Sequence, residues 1–233
     1  MDPREIRRKL WENLQKVRGR IERHRPRGGP EVKLVAVTKQ VGPEMVQMLF
    51  DLGQREFGES RVSDALAKAQ VLRLEGVQWH MIGHLQRNKA AKAFGLFKMV
   101  QSVDSRELAE VLARRGDEEK TPLEVLLQVN TTDEPQKHGV RPDEAAAMVE
   151  HVSALKALRL RGLMTMARLS TDAEQARPAF HLLAELFGEI RDRGLGGEQF
   201  SELSMGMSQD YAVAVEEGAT IVRVGGAIFE GIK

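Results

Sequence analysis

Short apolar runs rich in β-branched residues alternate with longer amphipathic stretches through most of this chain of 233 residues. The apolar runs lie at 32–38, 55–58, 77–82, 98–103, 123–129, 158–166, 200–204 and 220–225. The stretches at 43–53, 61–75, 88–96, 105–115, 142–157, 172–193 and 208–217 place apolar residues three or four positions apart, as amphipathic helices do. This alternation predicts eight strands with seven helices between them, which are repeated βα units.

Some of the predicted strands are apolar without interruption, as in VAV at 35–37. Such runs are typical of parallel strands that are buried on both faces. Eight βα units then predict an α/β fold with one closed (β/α)8 TIM barrel over residues 32–227, in a single domain that takes in the whole chain 1–233. A doubly wound open sheet is the alternative architecture.

A further amphipathic segment at 3–25 precedes the first strand. Its apolar stripe has the spacing of one helix face and consists of Ile6, Leu10, Leu14, Val17 and Ile21. The sequence ends at Lys233, soon after the last predicted strand, so we expect no eighth helix there. We therefore expect the leading helix to pack against the outside of the barrel in the vacant place.

Composition excludes several functional classes. The chain has no cysteine, so disulfides, thiolate nucleophiles and cysteine-based metal sites are impossible. The net charge of +1 requires neither nucleic acid nor an anionic membrane as a partner. The basic residues of the leading helix are interspersed with acids, which favours a solvated outer face over a nucleic-acid site. No segment is typical of a signal peptide or of a membrane helix of roughly 20 apolar residues, so we expect a cytoplasmic protein.

In a TIM barrel the reactive groups lie where the strands end and in the loops that follow them. Lys39 follows the first predicted strand in VAVTKQ and should point toward the barrel mouth. A lysine that its neighbours desolvate can form a Schiff base with an aldehyde. The alternative is an ordinary solvated lysine beside a strand.

Two later segments suggest a phosphate site, which TIM barrels commonly build from the loops after strands 7 and 8. LSMGMSQDY at 203–211 supplies Ser204 and Ser208 just before a predicted helix, whose first amides could bind an anion. In TIVRVGGAIFEG, Gly225 and Gly226 allow backbone N–H groups to approach a phosphate, and Arg223 adds a permanent charge. The structural alternatives are that Ser208 is a helix cap and that the two glycines form a turn.

Other polar residues fall near predicted strand ends. They are Glu59, Ser60, His80, His84, Asn130, Lys137 and Thr165. His80 and His84 are four residues apart, but they span a predicted strand and turn, and no acidic residue lies at ligand spacing. We therefore expect no metal site.

Seven ordered motifs resemble those of the pyridoxal 5′-phosphate-binding homeostasis proteins, whose fold is an alanine-racemase-like barrel. The motifs are LVAVTK (34–39), FGES (57–60), WHMIGHLQRNK (79–89), QVNTTDEPQKHG (128–139), GLMTM (162–166), LSMGMSQDY (203–211) and VRVGGAIFEG (222–231). The resemblance covers nearly the whole chain after the leading helix. One departure is Ser60, where the family usually has asparagine.

The resemblance implies a cofactor, pyridoxal 5′-phosphate (PLP), and a role for each candidate residue. Lys39 would form the Schiff base with the cofactor aldehyde. Ser204, Gly225 and Gly226 would hold the phosphate, with Ser208 as a further candidate. By similarity to the related racemases, Arg223 would face the pyridine nitrogen, and a guanidinium there makes the ring a poorer electron sink.

Related alanine racemases have a second, β-rich domain that supplies a catalytic tyrosine. The one tyrosine of this chain, Tyr211, lies just inside a predicted helix, where it could line the pocket without matching a racemase motif. We therefore expect a protein that buffers or delivers PLP, possible recipients being PLP-dependent apoenzymes, with little or no turnover and as a monomer. The alternatives are an amino-acid racemase-like PLP enzyme that uses His80 or Lys137, and a Schiff-base barrel that acts on sugar phosphates.

Overall fold

The computed structural model describes residues 1–132, 134 and 137–232. Asp133, Pro135, Gln136 and Lys233 lie outside the described residues. The motif at 128–139 is therefore described only in part.

Within the described residues, eight parallel strands form a closed barrel in which each strand pairs with its neighbours in sequence. The strands are β1 (Lys33–Val37), β2 (Glu56–Glu59), β3 (Gln78–Met81), β4 (Phe97–Val103), β5 (Leu123–Gln128), β6 (Leu158–Met164), β7 (Glu202–Ser204) and β8 (Ile221–Val224). Ala36 of β1 is in register with Phe57 of β2 and with Val224 of β8, which closes the sheet. The predicted TIM barrel is confirmed, and the doubly wound alternative is wrong.

The described segments that connect the strands are helical. The α-helices are α1 (Pro3–His24), α2 (Pro43–Asp51), α3 (Val62–Leu72), α4 (Arg106–Glu119), α5 (Ala145–Ser153), α6 (Arg177–Asp192) and α7 (Tyr211–Glu216). Short 3₁₀ helices lead into α5 and α6 at Pro142–Glu144 and Ala173–Ala176.

The connection between β3 and β4 differs from the α-helix predicted at 88–96, because it is a 3₁₀ helix at Arg87–Ala93. Its buried residues, Ala90 and Ala93, are three positions apart. That spacing keeps both side chains on one face of a helix with three residues per turn.

Helix α1 occupies the place predicted for it, in contact with both α7 and α2. Leu10, Leu14, Val17 and Ile21 are buried along its inner face. The side-chain amide of Asn13 donates hydrogen bonds to the carbonyl oxygens of Ile228 and Glu230, both at 2.9 Å. The leading helix is thereby joined to the segment that follows β8.

The core has an outer layer between strands and helices and an inner layer inside the barrel. The inner layer contains a small apolar cluster of Val35, Met99, Leu126, Met164 and Ile221. Beside that cluster lie buried polar side chains of His80, Gln101, Ser204 and Arg223. No helix in the described ranges is long and apolar enough to cross a membrane.

Candidate functional site

A cavity of about 650 Å³ opens at the ends of β1, β2, β3 and β8. Its polar lining includes five of the six residues that the sequence singled out as cofactor ligands, namely Lys39, Ser208, Arg223, Gly225 and Gly226. Apolar side chains complete the walls: Val37, Val41, Ile82, Met166, Met207, Phe229 and Ile232. The structure therefore brings an amine, a guanidinium and a glycine pair into one cavity.

Lys39 lies two residues beyond the end of β1, and its side chain is exposed. Of the two interpretations that the sequence left open, a lysine desolvated by its neighbours and an ordinary solvated lysine, the exposed side chain agrees with the second. The cavity can thus admit a carbonyl compound to Lys39 without a rearrangement of the barrel.

Directly behind Lys39, three buried groups hold the end of β1 against β2 and α3. The hydroxyl of Thr38 donates to Glu59 Oε1 at 2.6 Å, and Lys68 Nζ donates to the same oxygen at 2.6 Å. Lys68 Nζ also donates to the carbonyl oxygen of Thr38 at 2.7 Å. Burial of a charge pair requires such additional hydrogen bonds, so this group fixes the strand end that carries Lys39.

Sequence reasoning missed Lys68. The signal for it was a lysine on the buried face of α3, three residues after Ala65 and six after Val62. A lysine in such a place is rarely buried unless it is paired.

The turn after β8 directs backbone donors into the cavity. The N–H groups of Gly225 and Ala227 both donate to Ser208 Oγ, each at 3.2 Å. The Gly226 N–H has no acceptor among the described residues. A Cβ added to Gly226 would lie 3.5 Å from Ser208 Oγ, and one added to Gly225 would lie 3.0 Å from the carbonyl oxygen of Val37. Converging N–H groups of this kind form an anion-binding concavity.

The helix predicted at 208–217 begins later than expected, at Tyr211, and has six residues. Asp210 precedes it, and Asp210 Oδ1 accepts a hydrogen bond from the Met207 N–H at 2.5 Å. Ser208 is therefore not the cap of α7. The donors near Ser208 come from the turn after β8 instead.

Arg223 is buried and has a fixed orientation. Its Nη1 donates to Ser204 Oγ at 2.6 Å, and its Nη2 donates to the carbonyl oxygen of Thr165 at 2.8 Å. Burial lowers the pKa of Arg223 to about 10, and the nearby Asp210 opposes that change. The guanidinium is thus still charged at neutral pH.

Ser204 differs from the other five predicted ligands because it does not line the cavity. It is fully buried on β7, and its hydroxyl accepts from Arg223 and donates to Gln101 Oε1 at 2.7 Å. The side chain points into the barrel, since residues of a strand alternate between its two faces. The structure places Ser208, and not Ser204, beside the glycine pair.

Ser60 lines the cavity at the end of β2. It lies against Gly83, where an added Cβ would be only 2.4 Å from the carbonyl oxygen of Ser60. This wall therefore needs a glycine at position 83.

The remaining candidates lie outside the cavity lining. His80 is inside the barrel, where Nε2 contacts Glu56 at 2.6 Å and Nδ1 contacts Gln101 Nε2 at 2.9 Å. The sequence suggested that Tyr211 could line the pocket, but the structure places it outside the cavity lining. Its ring packs toward α1, and the guanidinium of Arg20 lies 5.4 Å from the ring centroid.

The loop after β5 holds two further candidates. Asn130 donates from Nδ2 to the carbonyl oxygen of Glu134 at 2.9 Å, and its Oδ1 accepts from the Thr132 N–H at 3.1 Å. Lys137 is ion-paired with Glu134 at 2.5 Å and lines a different cleft, which it shares with His84. These residues organise the loop and do not reach the Lys39 cavity.

Comparison with known proteins identifies relatives across nearly the whole chain. The sequence profile described as "Alanine racemase, N-terminal domain" matches residues 9–232. The pyridoxal phosphate homeostasis protein of Aquifex aeolicus is 35% identical over 94% of this chain and 96% of its own length. The human protein of the same name is 40% identical over 93% of this chain and 84% of its own length.

Solved structures give the same result. The Synechococcus elongatus protein PipY, solved with PLP bound, is 35% identical, with a TM-score of 0.83 over 94% of this chain and 99% of that one. An alanine racemase from Clostridium difficile shares the fold at 13% identity, with a TM-score of 0.74 over 94% of this chain and 55% of that one. The predicted resemblance is confirmed. The chain belongs to the pyridoxal phosphate homeostasis proteins of the alanine racemase N-terminal domain family.

Proposed function

We propose that this protein binds pyridoxal 5′-phosphate through a Schiff base at Lys39 and acts in intracellular PLP homeostasis, with little or no turnover. The observation that carries the proposal is the presence of the Lys39 amine, the Gly225 and Gly226 backbone and the Arg223 guanidinium in one cavity. The relatives described above are named for PLP homeostasis, and PipY has been solved with PLP bound.

The residues of the cavity fit this cofactor. When bound, PLP supplies an aldehyde that condenses with a primary amine and releases water. Lys39 would provide that amine. The N–H groups of 225–227 and the hydroxyl of Ser208 would hold the phosphate, and the apolar walls would exclude water from the ring.

Arg223 is proposed to interact with the pyridine nitrogen. A guanidinium donates hydrogen bonds and accepts none, so Arg223 in that place would keep the nitrogen unprotonated and leave the ring a weak electron sink. His80 and Lys137, the groups considered as acid or base for a racemase, do not line the Lys39 cavity. Both features support a carrier over a catalyst.

The proposed carrier would work in the cytoplasm as a monomer, with the barrel and its leading helix acting as one PLP-binding domain. Its partners would be PLP itself and PLP-dependent apoenzymes that receive the cofactor. Ser204 would act indirectly, by orienting Arg223.

The first test is the visible absorption spectrum of the protein with added PLP, before and after borohydride reduction, followed by mass mapping. We expect a Schiff-base band that disappears on reduction and a pyridoxyl mass on Lys39. Lys39→Ala should abolish both signals. Lys98→Ala, which alters an exposed lysine of β4, should leave them unchanged. A protein that takes up no PLP would contradict the proposal and favour the sugar-phosphate alternative.

The proposed phosphate site, the N–H groups of 225–227 with Ser208, has its own test. Gly226→Ala should be tolerated by the fold, because the new Cβ would make ordinary contacts with Ser208, yet it fills the space between the backbone donors. We expect PLP affinity to fall about tenfold or more, the cost of roughly one charge-assisted hydrogen bond. The matched control is Gly188→Ala in α6, where nothing lies within 4 Å of the added Cβ. Equal PLP affinity in both variants would contradict the assignment.

Turnover is tested by incubating the PLP-loaded protein with single enantiomers of alanine and other amino acids. The proposal predicts no racemisation at ordinary enzymic rates, which are about 1–1,000 per second. Racemisation at such rates that His80→Gln or Lys137→Ala abolishes, with PLP still bound, would establish the racemase-like alternative.

A further inference from the structure

Two imidazoles and one carboxylate meet at the mouth of the barrel, away from the Lys39 cavity. His84 follows β3, Asp104 follows β4 and His138 follows β5. One ligand atom from each lies within 4.8 Å of the others. Three successive loops therefore supply the nitrogen and oxygen donors that Zn²⁺ prefers.

The spacing of these atoms suits a metal ion. His84 Nδ1 donates to Asp104 Oδ2 at 2.9 Å, and His138 Nδ1 lies 3.6 Å from the same oxygen. Tetrahedral Zn²⁺ with bonds of about 2.0–2.1 Å separates its ligand atoms by roughly 3.3 Å. The two observed distances lie on either side of that value.

The two imidazole rings are stacked, with centroids 3.9 Å apart and planes inclined by 10°. Parallel rings do not aim their lone pairs at one point, so binding requires the rings to turn apart. The His84 and His138 side chains are 41% and 54% exposed, whereas the Asp104 side chain is 9% exposed. The carboxylate is thus held in place while the imidazoles have room to rotate.

We propose that His84, Asp104 and His138 form a Zn²⁺ site on the C-terminal face of the barrel. Neutral imidazoles with one carboxylate give the ligand set a charge of −1, which suits a divalent cation. Binding through His84 Nδ1 moves the proton of that nitrogen to Nε2, so the imidazole stays neutral and its hydrogen bond to Asp104 Oδ2 is replaced by bonds from both atoms to the metal. Water from the adjacent cleft of about 710 Å³ completes the coordination shell.

Two cations line the same cleft, Arg87 and Lys137. The charge of Lys137 is compensated by Glu134, at 2.5 Å. Glu107 also lines the cleft and adds a second carboxylate beside that of Asp104. The local electrostatic balance therefore does not oppose a divalent ion.

In the sequence, the four-residue spacing of His80 and His84 predicts no metal site. The structure separates these two histidines, since His80 contacts Glu56 and Gln101 inside the barrel. The ligands that accompany His84 come instead from loops 20 and 54 residues further along the chain.

A bound ion would join the loops after β3, β4 and β5, and so would stabilise the folded state. With free Zn²⁺ about 100-fold above its Kd, linkage predicts that Tm rises by about 5–10 °C.

The test is a titration of the full-length, untagged protein with Zn²⁺ by calorimetry and with Co²⁺ by visible absorption. We expect one saturable site and the intense d–d bands of tetrahedral Co²⁺. His138→Gln and Asp104→Asn each remove a proposed ligand, so each should weaken binding by about 100-fold or more, beyond the usual cost of losing an outer-shell partner, and should remove most of the rise in Tm. His138 is exposed enough that its substitution should not unfold the protein.

The matched control is His181→Gln, which removes another exposed histidine that contacts two carboxylates, Glu185 and Glu217. It should leave Zn²⁺ affinity unchanged, and Lys39→Ala should do the same because the site is independent of PLP. A titration without saturation, or equal losses in His138→Gln and His181→Gln, would overturn the proposal.

Discussion

Arg223 donates a hydrogen bond from Nη1 to Ser204 Oγ at 2.6 Å, and this contact connects the cavity to the interior of the barrel. The same hydroxyl donates to Gln101 Oε1, and Gln101 Nε2 donates to His80 Nδ1. His80 therefore carries its proton on Nε2 and donates it to Glu56. A continuous chain of hydrogen bonds runs from the guanidinium to the opposite end of the barrel.

Substitution of Ser204 tests this chain. Ser204→Ala leaves Arg223 Nη1 without its acceptor and Gln101 Oε1 without its donor, both in a buried environment. The free energy of unfolding should fall by about 1–3 kcal/mol. PLP affinity should also fall severalfold, because the guanidinium loses one of its two anchors. Urea denaturation and PLP titration measure the two effects.

Ser201→Ala is the control for that variant, since Ser201 is exposed just before β7 and its hydroxyl contacts only the carbonyl oxygen of Gln199 among the described residues. It should change neither quantity beyond about 0.5 kcal/mol. If Ser204→Ala retained full PLP affinity despite a loss of stability, Ser204 would be a structural residue alone.

The barrel could be predicted from the sequence because parallel strands that are buried on both faces have nearly continuous apolar sequences. Lys39, Gly225 and Gly226 could be placed as well, since each follows a readable strand end. The resemblance ranked Ser204 before Ser208 as a phosphate ligand. The structure buries Ser204 at the end of β7 and brings Ser208 beside the glycine pair, a placement that depends on the path of the chain after the strand ends.

Clusters of side chains that come from distant loops could not be predicted, for a different reason. His84, Asp104 and His138 share no sequence period, and only the closed sheet brings their loops together. Lys68 reaches Glu59 from a neighbouring helix, so its pairing depends on how α3 packs. The apolar face of α3 marks Lys68 as a buried lysine, but the identity of its partner depends on tertiary packing and has no local signal.

Asn13 provides a second prediction, because it joins α1 to the segment after β8 that contains the proposed phosphate site. Its side-chain amide makes two hydrogen bonds, a buried one to the carbonyl oxygen of Ile228 and a partly buried one to that of Glu230. Asn13→Ala should lower the free energy of unfolding by about 1–3 kcal/mol, since both acceptors lose their donor. PLP affinity should fall modestly as the turn loosens.

Gln15→Ala is the comparison for Asn13, since it removes an exposed amide from the same helix. Its stability in urea should match that of the unaltered protein. Equal stability of Asn13→Ala and Gln15→Ala would mean that α1 is held by its apolar stripe alone.

Asp210 gives a prediction about pH. Burial raises the pKa of this carboxyl above its ordinary value of 3.8, so the folded protein retains a proton that the unfolded chain has lost. The contribution of Asp210 to the free energy of unfolding is therefore greatest below about pH 4, and it declines as pH rises through the raised pKa. Asp210→Asn cannot ionise and can still accept the Met207 N–H, so its stability relative to the unaltered protein should increase from acid to neutral pH. Asp143→Asn is a control with the opposite expected trend. Arg141 lowers the pKa of the exposed Asp143, so the stability of this variant relative to the unaltered protein should not increase from acid to neutral pH. Urea midpoints measured across this range would contradict the assignment if the Asp210→Asn advantage stayed constant or shrank.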